Sequence, residues 1–235
     1  MSRLLAEMAL DVRLQVRNRL YTIGVTVAVL LGLAGRYAFP SEALEVVLPA
    51  FFLLFLGGST YMFVAAMIML ERGDRTLEAV RITPLRLGEY MTSKVVTLTA
   101  FTVLESAIIV IIAWGVRDIA VLPLVVGIAL LGAINTLLGV AQVAKHETVT
   151  DFLVPGAMIV SLVLTLPLFH LLGMWTSPLW YLIPTRAPLA LITAAFGPIA
   201  TGEWIYGVAY GGLWLLIAFL LARRQFTRHV VLGGR

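Results

Sequence analysis

The sequence predicts an all-α integral membrane protein with six transmembrane helices. An N-terminal interfacial helix, a short cytoplasmic helix after the second span and external re-entrant helices complete the fold class. Two observations carry the prediction. Of 235 residues, 60% are hydrophobic and only 13% charged, with a mean hydropathy of +0.99. A soluble domain is roughly 45–50% apolar and about 25% charged, so this chain has too few charges to cover a water-facing surface. The apolar residues also fall in uninterrupted runs of bilayer length rather than in the period-2 alternation of a membrane β-barrel. The same composition excludes an extended disordered chain. With no cysteine, neither a disulfide scaffold nor a thiolate metal cluster is possible.

Taken in order, residues 1–19 do not span. Leu4, Leu5, Met8, Val12 and Val16 recur at helical spacing, with Glu7, Asp11, Arg13 and Arg17 elsewhere on the wheel. This is the pattern of a helix lying in the membrane interface. The spans follow at 20–39, 46–70, 93–115, 121–144, 152–174 and 204–222. The first is not read as a cleaved signal peptide, because Glu7 and Asp11 precede it and no small-residue cleavage site closes it. Segment 175–203 is too apolar for a water-exposed loop and too broken by Pro178, Pro184, Pro188 and Pro198 for a span. Short helices dipping into the outer leaflet fit, provided protein surrounds their backbone. Trp175, Trp180 and Tyr181 are expected at headgroup level.

Six spans place both termini on one side. If that side is cytoplasmic, 14 of the 17 basic residues lie there, and only Arg36, Arg117 and Arg186 fall outside. The positive-inside rule fixes this orientation. The pI near 9.7 therefore reports topology, and no nucleic-acid partner is expected.

Enzyme signatures fail. His146-Glu147-Thr148-Val149-Thr150 lacks the second histidine of a zinc-protease motif. Gly57-Gly58-Ser59-Thr60-Tyr61 lacks the closing glycine of a nucleophile elbow and lies within a span. The two lysines, Lys94 and Lys145, are not preceded by glycine, so there is no phosphate loop.

The loop 71–92 is longer than topology needs. Gly73 and Asp74 can break the second span, and Asp74 is a suitable N-cap. Residues 76–82 then read as a short helix, with Leu77, Val80 and Arg81 expected on one face and Glu78 on another. Pro84 stops it. A mixed-charge helix held at the membrane surface suits docking onto a soluble partner, and equally a solvated connector.

The residues Glu71-Arg72, Gly73, Thr76-Leu77-Glu78-Ala79, Thr83-Pro84-Leu85, Glu89-Tyr90 and Ser93-Lys94 resemble the segment after the second span in permeases of the ABC-2 type. Residues 181–189, Tyr-Leu-Ile-Pro-Thr-Arg-Ala-Pro-Leu, resemble the region between the fifth and sixth spans of drug-export permeases in that family. Fluoroquinolone-export permeases are the most similar subgroup, and the resemblance covers nearly the whole chain. Asp74-Arg75 between Gly73 and Thr76 departs from the family pattern, in which glycine often runs directly into threonine.

The resemblance implies the membrane half of a type V exporter in the inner membrane of a prokaryote, with both termini cytoplasmic. Two six-span chains, identical or paralogous, would enclose the path for a drug-like or amphiphilic substrate. A separate ATP-binding cassette subunit would bind ATP and magnesium, leaving this chain without a cofactor or catalytic residue. Residues 76–83 would be the coupling helix, with Glu71, Thr76, Leu77, Glu78, Arg81, Thr83 and Pro84 as its ATPase-coupling residues. The N-terminal helix would be the connecting helix.

Within the spans, Glu105 stands near the middle of the third, with Thr99, Thr102 and Ser106 as a polar stripe. A bare carboxylate there must face protein or water, be paired, or be protonated. Glu105 and Asn135 are candidates to line the path, or to bond the third and fourth spans together. Phe51, Phe55 and Phe63, with Leu164 and Phe169, are apolar gate candidates in the second and fifth spans. An ATP-independent transporter or channel would have to use Glu105. An intramembrane enzyme would have to lack every motif tested above.

Overall fold

The computed structural model describes residues 3–74, 86–115, 118–174, 177–197 and 200–231. Six helices are long and apolar enough to cross a membrane: Leu20–Ala38, Leu44–Gly73, Leu87–Ala113, Val121–Val143, Val149–Leu171 and Thr201–Val230. They are called the first to sixth spans below. No strand occurs among the described residues.

The third and sixth spans extend furthest beyond the expected ends. The third begins at Leu87 rather than 93 because its polar first turns are capped and paired. The Arg86 N–H donates to Glu89 Oε2 at 2.8 Å, and Lys94 is fully buried. The sixth runs past 222 through Arg223 and Arg224, because a helix leaving the bilayer can continue with charged side chains exposed.

The fourth span is the packing centre, lying against the second, third and sixth spans and the outer helix Arg186–Thr193. Its glycines permit this. A Cβ on Gly139 would stand 2.8 Å from the Tyr61 carbonyl oxygen, so the second and fourth spans cross backbone to backbone. Gly207 and Gly211 of the sixth span instead receive the side chains of Leu191 and Leu130. That G-x-x-x-G pair is therefore used inside the chain.

The second span is not a uniform α-helix. Phe52–Leu56 is π-helical, and the Gly57 N–H reaches back to the Phe52 carbonyl. Pro49, which has no N–H to donate, precedes it, and Gly57-Gly58 follows.

The segment between the fifth and sixth spans folds as short helical pieces packed against the bundle. Pro178–Leu182 forms a 3₁₀ turn, and every residue from Arg186 to Ile192 in the following helix is buried. Thr185 Oγ1 donates to the Val163 carbonyl at 2.5 Å. The Tyr206 and Tyr210 hydroxyls donate to the carbonyls of Tyr181 and Leu182. Trp180, expected at headgroup level, is buried in protein rather than presented on the surface. Trp175 lies outside the described residues.

The N-terminal helix, Arg3–Arg17, forms as read, but its inward face is the polar one. Asp11 and Gln15 are its buried residues, while Leu5, Leu10, Val12 and Val16 are exposed. In a membrane this is coherent. Lipid takes the apolar stripe, and the protein takes the groups that need partners.

Candidate functional site: a buried charge cluster at the foot of the loop

Asp11, Glu71 and Lys94 converge from three helices. Lys94 Nζ donates to Asp11 Oδ1 at 2.8 Å and to Glu71 Oε1 at 2.5 Å. Ser93 Oγ donates to Asp11 Oδ2 at 2.6 Å, and the Tyr90 hydroxyl donates to Glu71 Oε2 at 2.5 Å. Gln15 Nε2 extends the network to Thr97 Oγ1 at 3.1 Å. All of these residues are buried. A buried ammonium is sustained only where carboxylates and hydroxyls replace its water, and this arrangement supplies both.

Helical spacing explains the convergence. Tyr90, Ser93, Lys94 and Thr97 lie three and four residues apart, on one face of the third span. Asp11 and Gln15 are one turn apart on the N-terminal helix. Glu7, a further turn back, has its carboxyl raised above the ordinary carboxylate range, first by burial and then by the charge on Asp11.

Two more contacts grip the same region. Arg72 donates to the carbonyls of His146 and Ala144, beyond the end of the fourth span. Arg17 pairs with Asp74 at 3.0 Å on the surface. Residues 71–74, which lead into the loop, are thereby tied to the N-terminal helix, the third span and the connection between the fourth and fifth.

Of the residues read as ATPase-coupling, Glu71 lies here, its carboxylate turned inward. Thr76, Leu77, Glu78, Arg81, Thr83 and Pro84 lie outside the described residues. Asp11 was not singled out, because a wheel drawn on hydrophobicity assigns it to water. Tyr90, Ser93 and Lys94 appeared only as part of a motif.

The path candidates separate. Glu105 is buried in the seam between the first and third spans, where Gly24 and Phe101 lie against it; any side chain at Gly24 would collide with its carboxylate. Asn135 donates to the Leu131 carbonyl at 2.9 Å and faces Gly57 of the second span. The two are in different seams, and no bond between them joins the third and fourth spans. Instead Thr60 and Thr102 share a hydrogen bond of 2.9 Å between the second and third. Phe51 meets Phe55 edge to face, and Phe63 stacks on Phe101. Phe55 is exposed, on a stripe with Ala66 and Leu70. Lower on that span, Met62, Ala66, Met69 and Leu70 form a hollow of about 500 Å³ with Phe152 and Leu153 of the fifth. The fifth span is among the least buried.

Six apolar spans, four of them meeting at a glycine-rich fourth, make this a multi-pass all-α membrane protein. A family model for the fluoroquinolones export permease protein family matches residues 2–233. Fluoroquinolones export permease proteins of two Mycobacterium tuberculosis strains, CDC 1551 / Oshkosh and H37Rv, are each 31% identical over 233 residues, covering 98% of both chains. The chain belongs to the fluoroquinolones export permease protein family.

Proposed function

We propose that this chain is the membrane half of an ATP-driven exporter of drug-like amphiphiles, the fluoroquinolones named for its relatives among them. Two copies, or this chain and a paralogue, would face each other through the exposed stripes of the second and fifth spans. A separate cassette ATPase, holding ATP and magnesium, would dock on the loop 75–85. The observation that carries this reading is the clamp around Glu71. Residues entering the loop are fixed to the N-terminal helix, to the third span and to the connection between the fourth and fifth, so a push on the loop would move several helices together. The hollow beside Met62 and Met69 opens at that same end. Its flexible thioethers suit apolar molecules of varied shape.

The test is reconstitution of the chain with a cassette ATPase in vesicles. ATP-dependent fluoroquinolone uptake into inverted vesicles, abolished by a hydrolysis-dead cassette, is the expected result. Replacing Glu78 and Arg81 by Ala should lower substrate-stimulated ATPase activity. Uptake that ignores ATP but follows a proton gradient would overturn the reading in favour of a secondary transporter.

A further inference from the structure

At the end of the bundle that carries the N-terminal helix, two hollows adjoin. One, of about 450 Å³, is lined by Leu220, Arg223, Arg224, Thr227 and Arg228. The other, of about 730 Å³, is lined by Leu4, Arg86, Leu87, Glu89, Arg223 and Thr227, among others. Arg223 and Thr227 line both, so the two form one basin.

We propose that this basin binds the headgroup phosphate of an anionic phospholipid, with Arg223, Arg224 and Arg228 as the principal ligands and Arg86 on the far rim. Four observations support it. The arginines follow directly on the apolar part of the sixth span, which places them at headgroup depth. Arg223, Arg224 and Arg228 are exposed, and among the described residues none of the three is in an ion pair. Arg224 and Arg228 stand one helical turn apart, a like-charge spacing that is unfavourable unless an anion lies between. The floor is apolar at Leu4, Leu87 and Leu220, and it continues into the exposed Leu213, Leu216 and Leu220 of the sixth span, a track for acyl chains.

Two other roles for these groups are weaker. Arginines in a last helical turn also complement the helix dipole, but that does not account for an apolar floor or for Arg86 on another element. Glu89 lines the basin, yet its Oε2 accepts from the Arg86 N–H. A basic basin at a span end, open to lipid, fits an anionic headgroup, and guanidinium forks match phosphate oxygens in pairs. The inference needs only the membrane-spanning fold and holds whether or not a cassette ATPase drives the chain.

The experiment is native mass spectrometry of the full chain in neutral detergent, with phosphatidylglycerol or phosphatidylcholine added. Adducts of phosphatidylglycerol are expected to outnumber those of phosphatidylcholine. A basic side chain near an anionic lipid is worth about five-fold in binding, so R223Q/R224Q/R228Q should weaken phosphatidylglycerol binding on the order of a hundredfold. The corresponding triple Lys variant should keep most of it, and Arg36→Gln, at the opposite membrane face, should not change it. Equal adducts of the two lipids, or an unchanged Gln triple, overturn the proposal. So does displacement of the lipid by millimolar glycerol phosphate, which would make the site one for free phosphate. A Gln triple that keeps lipid but loses a cassette ATPase would make the basin a protein-docking face and equally overturn it.

Discussion

Lys94 and Glu71 meet at 2.5 Å in a site closed to water, one at the start of the third span and the other at the end of the second. The pair brackets the loop that joins those spans, so residues 72–93 form a closed chain whose clasp is a charge pair. Asp11, on the other side of Lys94 at 2.8 Å, carries the N-terminal helix into the same clasp. Electrostatics and topology are thus joined at one ammonium group.

Removing that ammonium leaves two buried carboxylates facing each other. Lys94→Met is expected to destabilise the chain by ~3–5 kcal/mol, the cost of an uncompensated buried charge. Adding Asp11→Asn and Glu71→Gln to Lys94→Met should recover a large part of the loss, because neutral hydrogen-bonding groups then replace the stranded anions. Thermal unfolding in detergent, followed by circular dichroism, reads both steps. Equal stability of the single and triple variants would show that the charges are not what binds these helices.

At Gly139 the close approach is to backbone, which cannot swing aside. Gly139→Ala would place a methyl 2.8 Å from the Tyr61 carbonyl oxygen and 2.5 Å from Val64 Cγ1. A loss of roughly 1–3 kcal/mol is expected, in the range of overpacked cores. Gly212→Ala, within the sixth span and with nothing within 4 Å, should hold or slightly raise the melting temperature, since alanine loses less backbone entropy in a helix.

How far the sequence reveals this molecule depends on the kind of residue. Spans declared themselves through apolar run length, and the outer helix through apolar content broken by prolines; hydropathy is additive along the chain and needs no partner. Asp11 and Lys94 were illegible for the opposite reason. Each is tolerable in the core only because of the other, 83 residues away, and a one-dimensional reading of either places it in water. The burial of Trp180 was hidden for a similar reason, since headgroup affinity does not reveal that protein covers the ring. Glu105 was visible as an oddity, yet its neighbour Gly24 was not, because a glycine in an apolar span gives no sign of what fills its vacancy.

The raised carboxyl of Glu7 sets a pH dependence. Folding holds its proton more tightly than the unfolded chain does, so its penalty is absent at acidic pH. The penalty grows as pH rises from the ordinary carboxylate range through the folded value, and is complete above it. Glu7→Gln should therefore raise the melting temperature at pH 7.5 and leave it unchanged at pH 4. Melting curves at the two pH values compare the variants. A stabilisation of equal size at both would assign the effect to packing.

Glu105 offers a separate test. Glu105→Gln keeps the shape that fits against Gly24 and Phe101, so assembly and melting temperature are expected to hold. If the carboxylate serves the path, export of a cationic substrate should fall by several-fold. Export at the original rate would make Glu105 a packing residue of the seam.

The π-helical turn at Phe52–Leu56 has a consequence for insertions and deletions. A π turn holds one residue more than an α turn. Deleting one residue from that stretch would let the hydrogen-bond ladder close as ordinary α-helix, keeping Gly57 against Asn135 and the inner half in phase with its neighbours. The same deletion a few residues towards Met67 would rotate the inner half by about 100°, swinging Glu71 away from Lys94. Among the described residues of the second span, this stretch is therefore where a change in chain length can be absorbed without turning the clasp out of register.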